Sequence, residues 1–291
     1  MNRADTEPAK FRDGFYTVRD GLRLHFRDYP GPMDQPPLLC LPGLTRNARD
    51  FEAFAERWSP RFRVIAVDFR GRGQSEIDPD PSRYVPLTYA HDTIALLDHL
   101  GVADAIFVGT SLGGLVTMLM AILDEDRIAA AILNDIGPDL EEEGLGRIRT
   151  YVGKDTRFAD WAEMAVAVAA NGRGLPRHYS DEEWLRAARR LGREQNGEIR
   201  FDYDMAIVAP FEAGPTPQVD MWPLFQALAK RPLLLIRGSE SDLVGAAAFA
   251  RMLQQAPGAA FVEIPGVGHA PDLDEPAALD AVQSFLERVA T

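Results

Sequence analysis

Gly109 and Gly113 stand two positions on either side of Ser111, one ending the apolar run that begins at Ile106, the other opening a segment with helical spacing. That order predicts a strand, a sharp turn and a helix, with the serine at the apex. Small residues belong at both flanking positions because a side chain there would collide with neighbouring backbone. The apex hydroxyl is then exposed at a helix N-terminus, where the first N–H groups, led by that of Leu112, can stabilise a developing negative oxygen. The chemistry invited is that of an activated hydroxyl. A serine in such a place also serves as a plain N-cap, so the motif needs support from elsewhere in the chain.

That support comes from where the other polar groups fall. Gly238-Ser239-Glu240-Ser241-Asp242 follows a strand expected over Pro232 to Arg237, and Gly266-Val267-Gly268-His269-Ala270-Pro271 follows one expected over Ala260 to Ile264. Ser111, too, follows the carboxyl end of a strand. A hairpin around Asp20-Gly21 starts the chain, with His25 read as structural. Short buried strands over Pro37 to Leu41, Arg63 to Asp68 and Ala129 to Leu133 then alternate with helices near Asp50 to Trp58 and Leu87 to Leu100. Such alternation predicts an α/β fold, a mostly parallel central sheet flanked by helices, in which chemistry gathers at the carboxyl ends of the strands.

Between residues 138 and 230 the alternation stops. Helical patterns near Leu140 to Val152, Phe158 to Ala170 and Asp181 to Gln195 follow one another with no strand expected between them, and this stretch reads as an inserted helical lid on a core made of 1–137 and 231–291. It carries Trp161, Trp184 and Trp222 together with Tyr151, Phe158, Tyr179, Phe201, Tyr203 and Phe211. Most of these are expected to pack the lid, and a few to line an apolar pocket. Arg186, Arg189, Arg190 and Arg193 are expected on one solvated helical face.

Taken together, Leu41-Pro42-Gly43-Leu44, Asp68-Phe69-Arg70-Gly71-Arg72-Gly73-Gln74-Ser75, the turn at Ser111, Gly238 to Asp242 and Gly268-His269 make the chain resemble an α/β-hydrolase-fold serine hydrolase of the esterase, lactonase and carbon–carbon-bond hydrolase group. The resemblance spans nearly the whole chain and implies a triad. Ser111 would attack a carbonyl, His269 would move its proton, and Asp242 would orient the imidazole. The oxyanion hole would be the backbone N–H groups of Leu112 and Leu44, although many relatives have His-Gly where Pro42-Gly43 stands here. The acid commonly lies three residues after the glycine closing its strand. That place is Ser241, one short of Asp242, and Asp135 after the strand ending at Leu133 is the alternative acid.

The resemblance implies hydrolysis of a small-molecule carboxylic ester or lactone without cofactor or metal. Ser111 stands where dehalogenases and epoxide hydrolases carry aspartate. Ala270-Pro271 replaces the tryptophan that many ring-cleavage carbon–carbon hydrolases carry after the histidine, so that activity ranks second. A ligand receptor on the same fold is the non-catalytic alternative. The 291 residues, of which 46% are apolar, suffice for a large core. A formal charge of −13 argues against nucleic-acid and anionic-membrane partners. With one cysteine, Cys40, no intrachain disulfide can form, and with no apolar leader in Met1 to Gly14 a cytoplasmic location is expected. Asp68 and the Arg70 to Ser75 loop are read as architecture, and Thr45, Arg46 and Asn47 as either touching substrate or capping the next helix.

Overall fold

The computed structural model describes residues 10–171, 179–212 and 220–290. The expectations for residues 1–9, for parts of the 138–230 stretch and for the Phe211 side chain therefore lie outside the described residues. Strands β1 (Arg12–Thr17) and β2 (Arg23–Tyr29) form the hairpin, turning at Gly21 with φ 88°. Strand β3 (Leu38–Leu41), helix α1 (Glu52–Trp58), β4 (Val64–Val67), α2 (Pro86–Leu100), β5 (Ala105–Thr110), α3 (Leu112–Leu123) and β6 (Ile128–Asn134) follow in alternation.

The stretch after β6 holds α4 (Glu142–Tyr151), β7 (Arg157–Phe158), α5 (Trp161–Asn171), α6 (Asp181–Leu191), β8 (Gly192–Gln195), β9 (Glu198–Phe201), a short α7 (Ala209–Glu212) and α8 (Trp222–Leu228). Then β10 (Leu233–Gly238), α9 (Ala246–Gln255), β11 (Ala260–Ile264) and α10 (Pro276–Val289) complete the chain.

Eight strands form one sheet in the order β1-β2-β4-β3-β5-β6-β10-β11. The pairs β1–β2 and β2–β4 are antiparallel and the other five are parallel. Period-two alternation divides the strand residues between two cores. Leu39, Leu41, Ile65, Val67 and Phe107 face one buried cluster with α2, α3 and α8, while Leu38, Cys40, Val64, Ala66, Ile106 and Val108 face the other with α1 and α10. This is why these strands read as unbroken apolar runs: both faces are covered.

The 138–230 stretch corrects one expectation. It is not purely helical, because β7, β9 and β8 form a small antiparallel sheet there. The helix expected to reach Gln195 ends at Leu191, and Gly192 to Phe201 forms a hairpin whose Asn196 and Gly197 both take positive φ, 55° and 78°. Asn-Gly is the strongest short hairpin signal, and it outweighs the helical pattern before it. Phe158, Met164, Val168, Leu191 and Ile199 give this stretch a small core of its own. The expected arginine face is also divided: Arg193 lies on β8 near Asp202 at 3.6 Å, and Arg190 reaches Asp272 at 3.4 Å.

Candidate active site

The turn after β5 is built by steric exclusion. A Cβ placed on Gly113 would lie 2.0 Å from the Leu41 carbonyl oxygen, and one on Gly109 would lie 2.6 Å from that of Gly113. Only glycine lets strand, turn and helix approach so closely. Ser111 at the apex has φ 51° and ψ −114°, a left-handed conformation that an L residue adopts only under constraint. Leu112, the first residue of α3, presents its N–H beside it.

The imidazole of His269, in the loop after β11, meets the serine: Nε2 lies 2.9 Å from Ser111 Oγ. On its other side Nδ1 lies 2.8 Å from Asp135 Oδ2. A carboxylate can only accept, so Nδ1 carries the hydrogen and Nε2 is left to accept from the serine hydroxyl. Asp135 follows β6, has φ 53°, and is fully buried. Its oxygens are held as well by the Gly238 N–H at 2.9 Å and the Ser241 hydroxyl at 2.7 Å.

Asp242, expected from sequence to orient the imidazole, does not contact it. Its carboxylate pairs with Arg147 of α4, with Nη2 2.9 Å from Oδ1. That guanidinium outweighs partial burial and holds the Asp242 pKa below the ordinary carboxylate value. The residue at the usual acid position, Ser241, instead donates to the neighbouring strand's aspartate. Sheet order explains the exchange: β6 lies between β5 and β10, so its end falls directly beside the turn that carries the serine.

The loop after β3 completes the surroundings. A Cβ on Gly43 would lie 3.8 Å from Ser111 Cβ, which puts this backbone against the turn that carries Ser111. The Gly43 carbonyl accepts from the Arg46 N–H at 3.1 Å, and because the peptide is trans, the Leu44 N–H points the opposite way. Asn47 caps the following turn through its side chain, whereas Thr45 and Arg46 line the cavity.

One support, Asn134, was not singled out from sequence, and a second, Arg72, was read there only as part of the Arg70 to Ser75 architecture. Asn134 Nδ2 donates to the Pro271 carbonyl at 2.8 Å and to Thr110 Oγ1 at 3.1 Å, tying the histidine's loop to the serine's strand. Arg72, almost wholly buried, donates from Nε to the Leu44 carbonyl at 2.9 Å. The sequence signal for both is position, since each sits at or just after the carboxyl end of a strand.

Ser111 and His269 open onto a cavity of about 430 Å³. Phe158, Phe201 and Tyr203 supply apolar wall from the 138–230 stretch, while Trp161 and Trp184 pack against that stretch's own core and Trp222 against the main one. Among the described residues no group of three or more His, Cys, Asp or Glu side chains is placed to hold a metal ion. No described helix is long and apolar enough to cross a membrane.

The chain is 31% identical over 272 residues to a 3-hydroxybutyrate-oligomer hydrolase of Cupriavidus necator, covering 90% of this chain and 92% of that protein. It is 30% identical to a 2-(acetamidomethylene)succinate hydrolase of Mesorhizobium japonicum, over 87% and 88% of the two chains. A crystal structure of an alpha/beta hydrolase from Novosphingobium aromaticivorans superposes with a TM-score of 0.92 at 49% identity, covering 97% of this chain and 99% of that one. The sequence profile of the alpha/beta hydrolase family matches residues 38–282, and the chain belongs to that family.

Proposed function

We propose that this hydrolase cleaves a carboxylic ester or lactone through an acyl-enzyme on Ser111, with His269 as proton carrier and Asp135 as the acid that orients it. The observation that carries this reading is the continuous hydrogen-bonded line Ser111 Oγ, His269, Asp135, with distances of 2.9 and 2.8 Å. Ser111 Oγ attacks the carbonyl carbon while His269 Nε2 takes its proton, and the carbonyl oxygen, now negative, is held by the Leu112 and Leu44 N–H groups. The C–O bond to the alcohol breaks, and the departing alkoxide takes the proton from Nε2. Water then attacks the acyl carbon, gives a proton to Nε2, and the acid leaves as Ser111 recovers that proton. Asp135 keeps Nδ1–H in place and stabilises the imidazolium at both stages.

Residues 138–230 act in this reading as a lid that encloses the substrate's apolar part. The Cupriavidus relative is named for 3-hydroxybutyrate oligomers, whose units are joined by ester bonds, and this supports an ester of a short hydroxy acid as substrate. The test is rapid quenching with aryl esters of rising chain length, 3-hydroxybutyrate oligomers, lactones and a dienoate ring-cleavage product. A burst of phenolate matching the enzyme, with acyl mass on the Ser111 peptide, is the expected result. Turnover of the dienoate alone would replace ester hydrolysis with carbon–carbon cleavage, and turnover of none would return the fold to a receptor role.

A further inference from the structure

The cavity that holds Ser111 also holds three cationic side chains: Arg46 from the loop after β3, Arg147 from α4, and Lys154 just beyond α4. A charge in a partly desolvated wall is costly unless it is paired. Arg46 turns its Nε and Nη2 to Asp50, with Nη2 3.0 Å from Oδ1. Arg147 turns the same edge to Asp242. Each guanidinium thus has its Nη1 corner outside the ion pair, and neither corner is among the buried atoms left without a partner.

The site is built rather than incidental. Helix α4 is pressed onto the Asp242 loop: a Cβ on Gly144 would lie 2.5 Å from the Asp242 carbonyl oxygen, and the Glu141 N–H donates to the Leu243 carbonyl at 2.9 Å. Tyr151, on the same helix, lines the cavity and feels both guanidinium groups, which oppose the rise that burial imposes on its hydroxyl pKa. The carboxylates that share the cavity are already engaged. Asp50 belongs to Arg46, and Asp272 accepts from the Tyr179 hydroxyl and faces Arg190. Lys154 has no ion pair among the described residues, so the wall carries one positive charge more than its carboxylates balance.

We infer that this wall, Arg46, Arg147, Tyr151 and Lys154, is a carboxylate-binding subsite, and that the substrate is an ester or lactone bearing a free carboxylate away from the reacting carbonyl. The inference rests on the ester-hydrolase reading of the same site. It also gives Asp242 its work, which is to present Arg147 to the substrate. Guanidinium groups suit the task because their donors match the two oxygens of a carboxylate.

The test uses two substrate pairs that differ only in charge: mono-4-nitrophenyl glutarate against its methyl-capped diester, and 4-acetoxybutyrate against its methyl ester. The wild-type protein should prefer the free acid of at least one pair by about tenfold or more in kcat/KM, a ratio that 0.5 M salt reduces. In Arg147→Met that ratio should fall to near one, and in Lys154→Met it should fall part of the way, mainly through KM. No preference in either wild-type pair, or equal loss on acid and capped ester in both variants, overturns the inference. Should Arg147→Met fail to fold, Lys154→Met and Arg46→Lys carry the comparison. Calorimetry with glutarate reads the subsite even without turnover. Glutarate binding that Lys154→Met weakens, with Ser111 unreactive, would sink the hydrolase reading alone, and no glutarate binding would sink the subsite.

Discussion

Asp135 and Asp242 each carry one negative charge within reach of the His269 loop, and what divides their work is the partner each meets. Asp135 is sealed from solvent and accepts from imidazole, serine hydroxyl and backbone N–H, while Asp242 is committed to Arg147. Asp135→Asn should therefore lower kcat by about 10³ to 10⁴, because an amide no longer fixes the productive tautomer. Asp242→Asn should cost less than about tenfold on a neutral aryl ester. Steady-state kinetics of the two variants checks both. That Ser111 and His269 would meet was legible in the sequence because glycine spacing and strand-end placement mark them. That Asp135 rather than Asp242 would meet the imidazole was not, because counting residues from the end of β10 cannot reveal that Ser241 bonds to the aspartate of a neighbouring strand. The signal present was Ser241 itself, a non-acid where the acid was expected.

Arg72 shows how one element sets another. Both peptides flanking Leu44 are anchored, one by the Gly43 to Arg46 turn bond and the other by Arg72 Nε. Its Nη1 is spent on the Arg70 carbonyl and the Tyr89 hydroxyl, at 2.7 and 3.0 Å, and its backbone bridges to Tyr203. The loop after β4 is joined to the 138–230 stretch again by the Gly73 N–H to the Asp202 carbonyl and the Asp204 N–H to the Gly71 carbonyl. In the proposed mechanism, removing the clamp loosens the Leu44 N–H without touching the wall of Arg46, Arg147, Tyr151 and Lys154. Arg72→Met is expected to lower kcat by about 10- to 100-fold, less than outright loss of a donor, with KM changed by less than about threefold. An unchanged kcat in a variant with wild-type circular dichroism would remove this role. The sequence marked the Arg70 to Ser75 loop as architecture near the mouth, yet which carbonyl Arg72 holds is a long-range fact that spacing does not encode.

Across the molecule, the order β5-β6-β10-β11 sets four strand ends side by side, and they deliver Ser111, Asp135, Ser241 and His269 to one place. Strand identity was readable because both sheet faces are covered, which makes the strands apolar throughout. The small sheet of β7, β9 and β8 was missed because short strands leave little periodicity, although Asn196-Gly197 announced its turn. The Arg147–Asp242 pair also links α4 to the core, with consequences for stability. Asp242's folded pKa is depressed, so its contribution is present above its unfolded pKa of about 3.9 and is lost as pH falls through the lower folded value. The gap in Tm between wild type and Asp242→Asn should be open at neutral pH and close below about pH 4 in thermal melts. If Ser111 is activated by His269 on Asp135, the rate at which a fluorophosphonate labels the protein reports that activation. Wild type should be labelled on the Ser111 peptide, with Ser111→Ala unlabelled, and His269→Ala and Asp135→Asn slowed by at least about 100-fold. Labelling at another residue, or at an undiminished rate in the last two variants, would mean that Ser111 is not activated by His269 and Asp135.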